Sequence, residues 1–354
     1  IGVLGAAANG RVDDEALLRR GVRPGLPSLF KSSFKGSRQP KGIHFSAANR
    51  GASFSVGLSD PLKNSEPGWR FTTEQLWEGQ EKLVNRFPDL KLHLDPAAGY
   101  TALKAVDLRQ GDPASRLLAD LQHFAIYSPD TATLRGLRTD PQSRIPLGLS
   151  GGGLAEAVDK ILRQPNAQRA GIPDLQDSVL ELIDWANAVG YSPSRDVPVL
   201  GSIPQPTQIL RFRDRFMADR RNSLSGYDVS EGALYVLLMT VLVHHPDSPR
   251  VLAVDNFDHA LNPRLARALT RKICEWVSTR EDRQLLLTSH NPLVLDGLPL
   301  RDENIRLFTV ERSYKGRTEV QRVVVDEKLI QAAEDGIPLS QQWVMGTFGG
   351  VPNI

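Results

Sequence analysis

Apolar positions change their period along the 354 residues, and the changes divide the chain. The opening IGVLGAAANG reads as the end of a helix broken at Gly10, followed by a polar helix that Gly21 and Pro24 close. Strict alternation over 42–47 and 52–58 predicts a β-hairpin or meander. After a Pro/Gly/Asn/Ser loop at 59–70, Thr72 or Thr73 is placed to cap a helix over 74–85, with Glu and Lys along its wet face. The stretch 88–113 is loop-rich, 113–122 reads as helix, and FAIYSPD at 124–130 as a strand closed by a turn.

A long loop at 136–152 ends in LGLSGGG, and helices are expected over 154–163 and 175–188. Between 197 and 212 a strand pattern is interrupted by prolines, which favour edges. The last third carries an apolar helix at 233–243, a short β-branched strand at 251–254, a helix at 264–276 and a strand at 285–287. The closing segment from Gly336 reads as a docking tail or as a surface strand. A β-rich front, a helical middle and a βαβ end predict an α/β fold, with boundaries at 1–135, 136–222 and 223–354.

Composition adds exclusions. No run of about 18 apolar residues occurs, so no membrane span is expected. Cys274 is the only cysteine, which rules out a disulfide framework and fits a reducing, cytoplasmic setting. A net charge of +2 argues neither for nor against nucleic acid. The chain starts on Ile1 with no signal-peptide pattern and reads as a fragment.

Candidate chemistry sits mainly in the last third. Asp255 ends the 251–254 strand, where a carboxylate can hold Mg²⁺, directly or through water. Ser230-Glu231-Gly232 opens the apolar helix, where backbone N–H groups, the dipole and a small hydroxyl suit an anion. His290 follows the 285–287 strand and can hydrogen-bond a γ-phosphate or an attacking water. His259-Ala260-Leu261-Asn262 leads into the helix between them. Each element also has a plain structural reading, as a helix cap or a loop residue.

In order and spacing these four elements resemble the ATPase head of the ABC superfamily. They look most like the compact prokaryotic branch related to SMC-type repair ATPases and OLD-family proteins. The resemblance implies a signature motif at 230–232, a Walker B ending in Asp255, a D-loop at 259–262 and a switch histidine at His290. It implies an ABC-ATPase head, a P-loop NTPase-like sheet flanked by helices, with an N-terminal β-meander and a helical insertion. Residues 1–135 and 223–354 would be the two parts of that head, and 136–222 the insertion and linker.

The implied cofactors are ATP and Mg²⁺: Ser230, Glu231, Gly232 and Asn262 would bind nucleotide and Asp255 the metal. The implied partners are a second copy of the chain (a homodimer or higher homo-oligomer) and a separate effector or nuclease in antiphage defence. DNA is left open and no membrane is expected. A DNA-repair or recombination ATPase and a non-hydrolysing nucleotide-binding scaffold are the alternatives.

Two departures stand out. Asn256 occupies the place of the catalytic Glu, and an amide cannot take a proton from water, which implies slow hydrolysis with Asp258 as the nearest substitute base. No G-x-x-x-x-G-K-[ST] occurs; Gly5 to Val12 keeps only the glycine spacing, so the P-loop is expected before Ile1. Leu149-Ser150-Gly151-Gly152-Gly153 imitates the signature, but Ser150 is too far in sequence from Asp255 and reads as a flexible loop. Arg211, Arg213, Arg215, Arg220 and Arg221 read as a phosphate or partner contact, or as a solvated helix face interleaved with Asp214 and Asp219.

Overall fold

The computed structural model describes residues 1–30, 40–61, 68–87, 100–163, 175–196, 206–280 and 282–350. Its architecture is α/β, as the alternation of periods predicts. Two compact units form: Ile1–Ile126 with Pro249–Ala253, and Tyr127–Ser248 with the residues from Val254 onward.

In the first unit, α1 (Gly2–Asn9) is separated from α2 (Asp14–Leu18) by Gly10 at φ 134°, and Asp13 caps α2 by accepting from the Ala16 N–H. Gly2 through Ala8 are all buried. A Cβ on Gly5 would lie 2.3 Å from the Leu121 carbonyl oxygen, so only glycine permits this backbone approach. The Gly5-to-Val12 stretch is therefore a packed helix with its cap, not a phosphate-cradling loop.

After α3 (Pro27–Phe30), strands β1 (Ile43–Ala48), β2 (Ala52–Ser59), β3 (Arg70–Glu78) and β4 (Glu81–Arg86) form an antiparallel sheet in that order. The helix expected over 74–85 is thus the β3–β4 hairpin, turned at Gly79 with φ 54°. The sequence misleads because Glu74 counts as a wet position, whereas its side chain is fully buried. There it accepts from the Thr101 hydroxyl and from the Ala102 N–H at 2.7 Å, with the Arg86 guanidinium 3.9 Å away. Burial raises the Glu74 pKa, and these partners oppose the rise. Leu76 pairs with Val84 and faces the core that Leu4, Phe54, Val56, Leu117 and Leu121 build with α4 (Pro113–His123).

The second unit takes up the chain at the end of β5 (Ala125–Tyr127) and continues through α5 (Thr131–Leu134), α6 (Leu154–Arg163) and α7 (Leu175–Leu180). The helix expected over 175–188 stops at Leu180. Ala186 opens β6 (Ala186–Pro193), which pairs with β7 (Gln208–Asp214), and β7 with β8 (Ser223–Ser225), all antiparallel. Val189 lies opposite Phe212 and both are buried, a cross-strand pair that outweighs local helix propensity. Of the strand pattern expected at 197–212, residues 197–205 lie outside the described residues, and the rest forms β7.

Helix α8 (Glu231–His244) is the centre of this unit. Every residue from Ala233 to His244 is buried, as an all-round apolar helix requires, with α5, α6, α7 and α9 (Pro263–Ser278) packed around it. The remaining elements are β9 (Val251–Val254), whose last residue belongs to this unit, β10 (Gln284–Leu287), the hairpin β11 (Phe308–Arg312) to β12 (Thr318–Arg322), α10 (Glu327–Glu334) and α11 (Leu339–Val344). The segment expected as a tail or surface strand thus contains α11, fixed where the Ser340 N–H and hydroxyl donate to Asp296. Among the described residues, no helix is long and apolar enough to cross a membrane.

The glycine loop at 149–153 is not open for a ligand. Ser150 and Gly152 N–H groups both donate to the Asp140 carboxylate at 2.9 Å, so the protein's own anion takes the donors a phosphate would need.

Candidate nucleotide site

Strand ends and helix starts of the second unit position the candidate residues. The Asp255 N–H donates to the Tyr127 carbonyl at 2.8 Å and the Thr288 N–H to the Val254 carbonyl at 3.1 Å, which bring the ends of β5, β9 and β10 side by side. Asp255 emerges exposed. The Thr288 hydroxyl donates to its Oδ1 at 2.5 Å and accepts from the Asn256 N–H at 2.9 Å. One hydroxyl therefore fixes both the carboxylate and the turn that follows it.

That turn has an unusual backbone. Asn256 has φ 51°, the only non-glycine described residue with positive φ. Left-handed backbone costs most residues about 1–2 kcal/mol, and Asn tolerates it better than Glu. Asn256 is thus a conformational fit to this turn. Its carbonyl accepts from the His259 N–H at 3.0 Å, and Phe257 anchors the turn with 1% exposure. Asp258 is buried and its carbonyl accepts from the Leu261 N–H.

Asn262 caps α9, its side-chain oxygen accepting from the Leu265 N–H at 2.9 Å. Ser230 caps α8 by accepting from the Ala233 N–H at 3.4 Å, and both Ser230 and Glu231 are exposed. A Cβ on Gly232 would meet Leu265 at 3.4 Å and the Ala260 carbonyl at 3.5 Å, so the start of α8 packs against the loop before α9. The loop entering α8 is held by Arg135, which donates to the carbonyls of Tyr227 and, at 2.9 Å, of Val229. Arg135 carries no motif and had no sequence signal.

The structure thus joins Asp255, Asn256 and Thr288 directly, and Gly232 with the 260–265 segment. His290 lies exposed two residues beyond Thr288. Among the described residues no hydrogen bond or ion pair links Ser230, Glu231 or His290 to Asp255. Nor does any group of three or more His, Cys, Asp or Glu form a closed metal cage.

A family model described as "AAA domain, putative AbiEii toxin, Type IV TA system" matches residues 108–296, more than half of the chain. The chain belongs to this AAA-domain family. That places it among nucleotide-binding ATPases, and Ser230, Asp255, Asn262 and His290 all fall inside the matched span. No curated protein matches the chain. Among solved structures it is similar to the Smc head of Pyrococcus furiosus bound to the C-terminal domain of ScpA, at 10% identity over 94% of this chain and 89% of that one, TM-score 0.41. An SmcHead bound to the C-winged helix domain of ScpA gives 8%, 84%, 79% and 0.43. The Smc head with coiled coil and joint from Pyrococcus yayanosii gives 10% identity over 48% of this chain, which spans only 29% of that protein, at TM-score 0.32.

In this AAA protein the Asn256 backbone makes a direct prediction. Asn256→Glu lowers stability by about 1 kcal/mol, the cost of a left-handed Glu, while Asn256→Gly leaves it within a few tenths. Urea midpoints of the two variants check this; equal midpoints would show that the turn relaxes freely.

Proposed function

We propose that this AAA protein is an ABC-type ATPase subunit that binds ATP, hydrolyses it slowly and dimerises through the nucleotide to control a separate effector or nuclease. The observation that carries this reading is the pairing of an exposed carboxylate at a strand end with an exposed, serine-capped helix start that does not touch it. Two incomplete phosphate sites suit completion by a second copy.

Mg²⁺ fits the carboxylate. It takes one or two carboxylates and leaves its other positions to water and phosphate oxygens, so Asp255, already oriented by Thr288, is an adequate protein ligand. When bound, the ion neutralises charge developing on the transferring phosphoryl group. The chain's own contributions are then distinct. Asp255 holds the ion and Thr288 orients that carboxylate. His290 hydrogen-bonds the γ-phosphate or the attacking water. Ser230, Glu231 and Gly232, with the first N–H groups of α8, meet the phosphates bound to another protomer, and Asn262 holds the neighbouring loop in place.

Asn256 supplies no base. Since general-base catalysis contributes about 10²–10⁴-fold, turnover is slow unless Asp258 substitutes. Slow turnover prolongs the nucleotide-bound dimer and suits a sensor that stays armed in cytoplasmic antiphage defence. Asn256 also favours the second reading, a scaffold that binds nucleotide without hydrolysing it.

Ser230→Arg tests the shared site. Gel filtration of wild type with ATP should show a larger species, and the variant should lose both that species and its turnover. An ATP-independent oligomer with unchanged turnover in the variant would overturn the reading.

A further inference from the structure

The arginine-rich segment at 211–221 is neither a helix nor neutralised by its acids. It is the β7–β8 hairpin, whose tip spans residues 215–222. Asp214 Oδ1 caps the tip itself, accepting from the Phe216 and Met217 N–H groups at 2.7 and 3.0 Å. Asp219 faces the Asn222 amide at 3.5 Å. No described ion pair involves any of the five arginines. Five arginines against two aspartates give this short segment a larger positive charge than the +2 of the whole chain.

At the tip, Phe216 is 77% exposed and Met217 42%, so an aromatic face stands in water with no packing partner from its own core. Arg215 is pinned by donating to the Ala186 carbonyl at 3.1 Å and lies 6.0 Å from the Phe216 ring centroid. Arg213, Arg220 and Arg221 are exposed in the same hairpin. The core-facing residues of β7, Leu210 and Phe212, are buried, so the outward positions Arg211 and Arg213 line one side of the strand leading to the tip.

A hairpin that carries one exposed aromatic ring at its tip and several arginines without an ion-pair partner among the described residues combines a base-stacking surface with phosphate contacts. We infer that the β7–β8 hairpin binds single-stranded nucleic acid, with a base stacked on Phe216 and the backbone held by Arg213, Arg220 and Arg221. A duplex buries its base faces and would offer Phe216 nothing to stack on, so the single strand is the favoured partner. Binding needs no nucleotide at the ATPase site.

The test is fluorescence anisotropy of the full chain with labelled oligothymidylate, oligouridylate and a duplex of equal length, without ATP. Single strands should bind and the duplex should bind more weakly. Phe216→Ala should weaken single-strand binding about tenfold or more, the loss of one stacked base, while Phe216→Trp retains it and shows quenched indole emission on binding. Replacing Arg213, Arg220 and Arg221 by Gln should flatten the log–log salt dependence by about 0.7 for each phosphate that is no longer neutralised. The tip is exposed, so unchanged urea midpoints are expected for all variants and confirm folding. No binding by wild type, tighter binding of duplex, or single-strand binding indifferent to Phe216→Ala would overturn the inference. Asp255→Ala should leave this binding unchanged, which separates it from the ATPase reading.

Discussion

Stability should fall as the pH drops from 6.5 to 4, with His244 and His245 contributing to the loss in that window. Both side chains at the end of α8 have 0% exposure. Burial pushes each pKa down to about 4; Arg280 and Arg283 add to this at His244, and at His245 Lys160 and Arg283 add while Asp247 opposes. Neither ring nitrogen of His244 has a hydrogen-bond partner among the described residues, and its ring packs edge-on against Trp276 at 5.1 Å. His245 accepts from the Asp247 N–H through Nδ1, leaving Nε2 unpartnered.

The sign follows from a depressed folded pKa. The unfolded chain takes protons below pH 6.5 that the native state refuses until about pH 4, so acid favours unfolding. At about 1.4 kcal/mol per unit, each histidine removes roughly 2 kcal/mol by pH 5 and roughly 3 by pH 4. Urea midpoints of wild type and His244→Phe across this range check the claim. Phenylalanine keeps the contact with Trp276 and has no nitrogens to desolvate, so stability at neutral pH should hold while the acid slope becomes shallower. An unchanged slope would assign the acid sensitivity elsewhere.

The second large effect is at Asp255. Asp255→Ala should reduce Mg²⁺-dependent ATP turnover by about 10²–10³-fold or more, because a bound metal is worth several kcal/mol of transition-state stabilisation at about 1.4 kcal/mol per factor of ten. The fold should persist, since Leu252 and Val254, the buried residues of β9, are untouched. Thr288→Val is the graded companion: it removes the donor to Asp255 and the acceptor for Asn256, while the carboxylate itself remains. Its turnover should lie between wild type and Asp255→Ala in a phosphate-release assay. Near-normal turnover in Asp255→Ala would remove this carboxylate from the mechanism.

Much of the framework around the candidate residues was legible in the chain because its elements announce themselves locally. The apolar run ending in Asp255, the serine before an all-apolar helix and the Asn-Pro start of α9 are short-range signals, and each forms at the expected place. Two features were not legible. The roles of Thr288 and Arg135 depend on partners 33 and 92 residues away in sequence, which no local pattern specifies.

The sequence by itself determined the α/β class and the buried helix α8, since these follow from the period and content of single segments. Tertiary structure decided the rest. Residues 74–85 became a hairpin because Glu74 finds Thr101, Ala102 and Arg86 across the first unit, and a buried carboxylate with such partners is affordable only in that fold. Asn256 sits in a left-handed turn that no local sequence pattern marked. The arginine segment gained a direction, with one aromatic ring at its tip, only when β6, β7 and β8 paired. Local pattern reports what a segment can bury, while long-range pairing decides which polar groups find partners and which are left facing water.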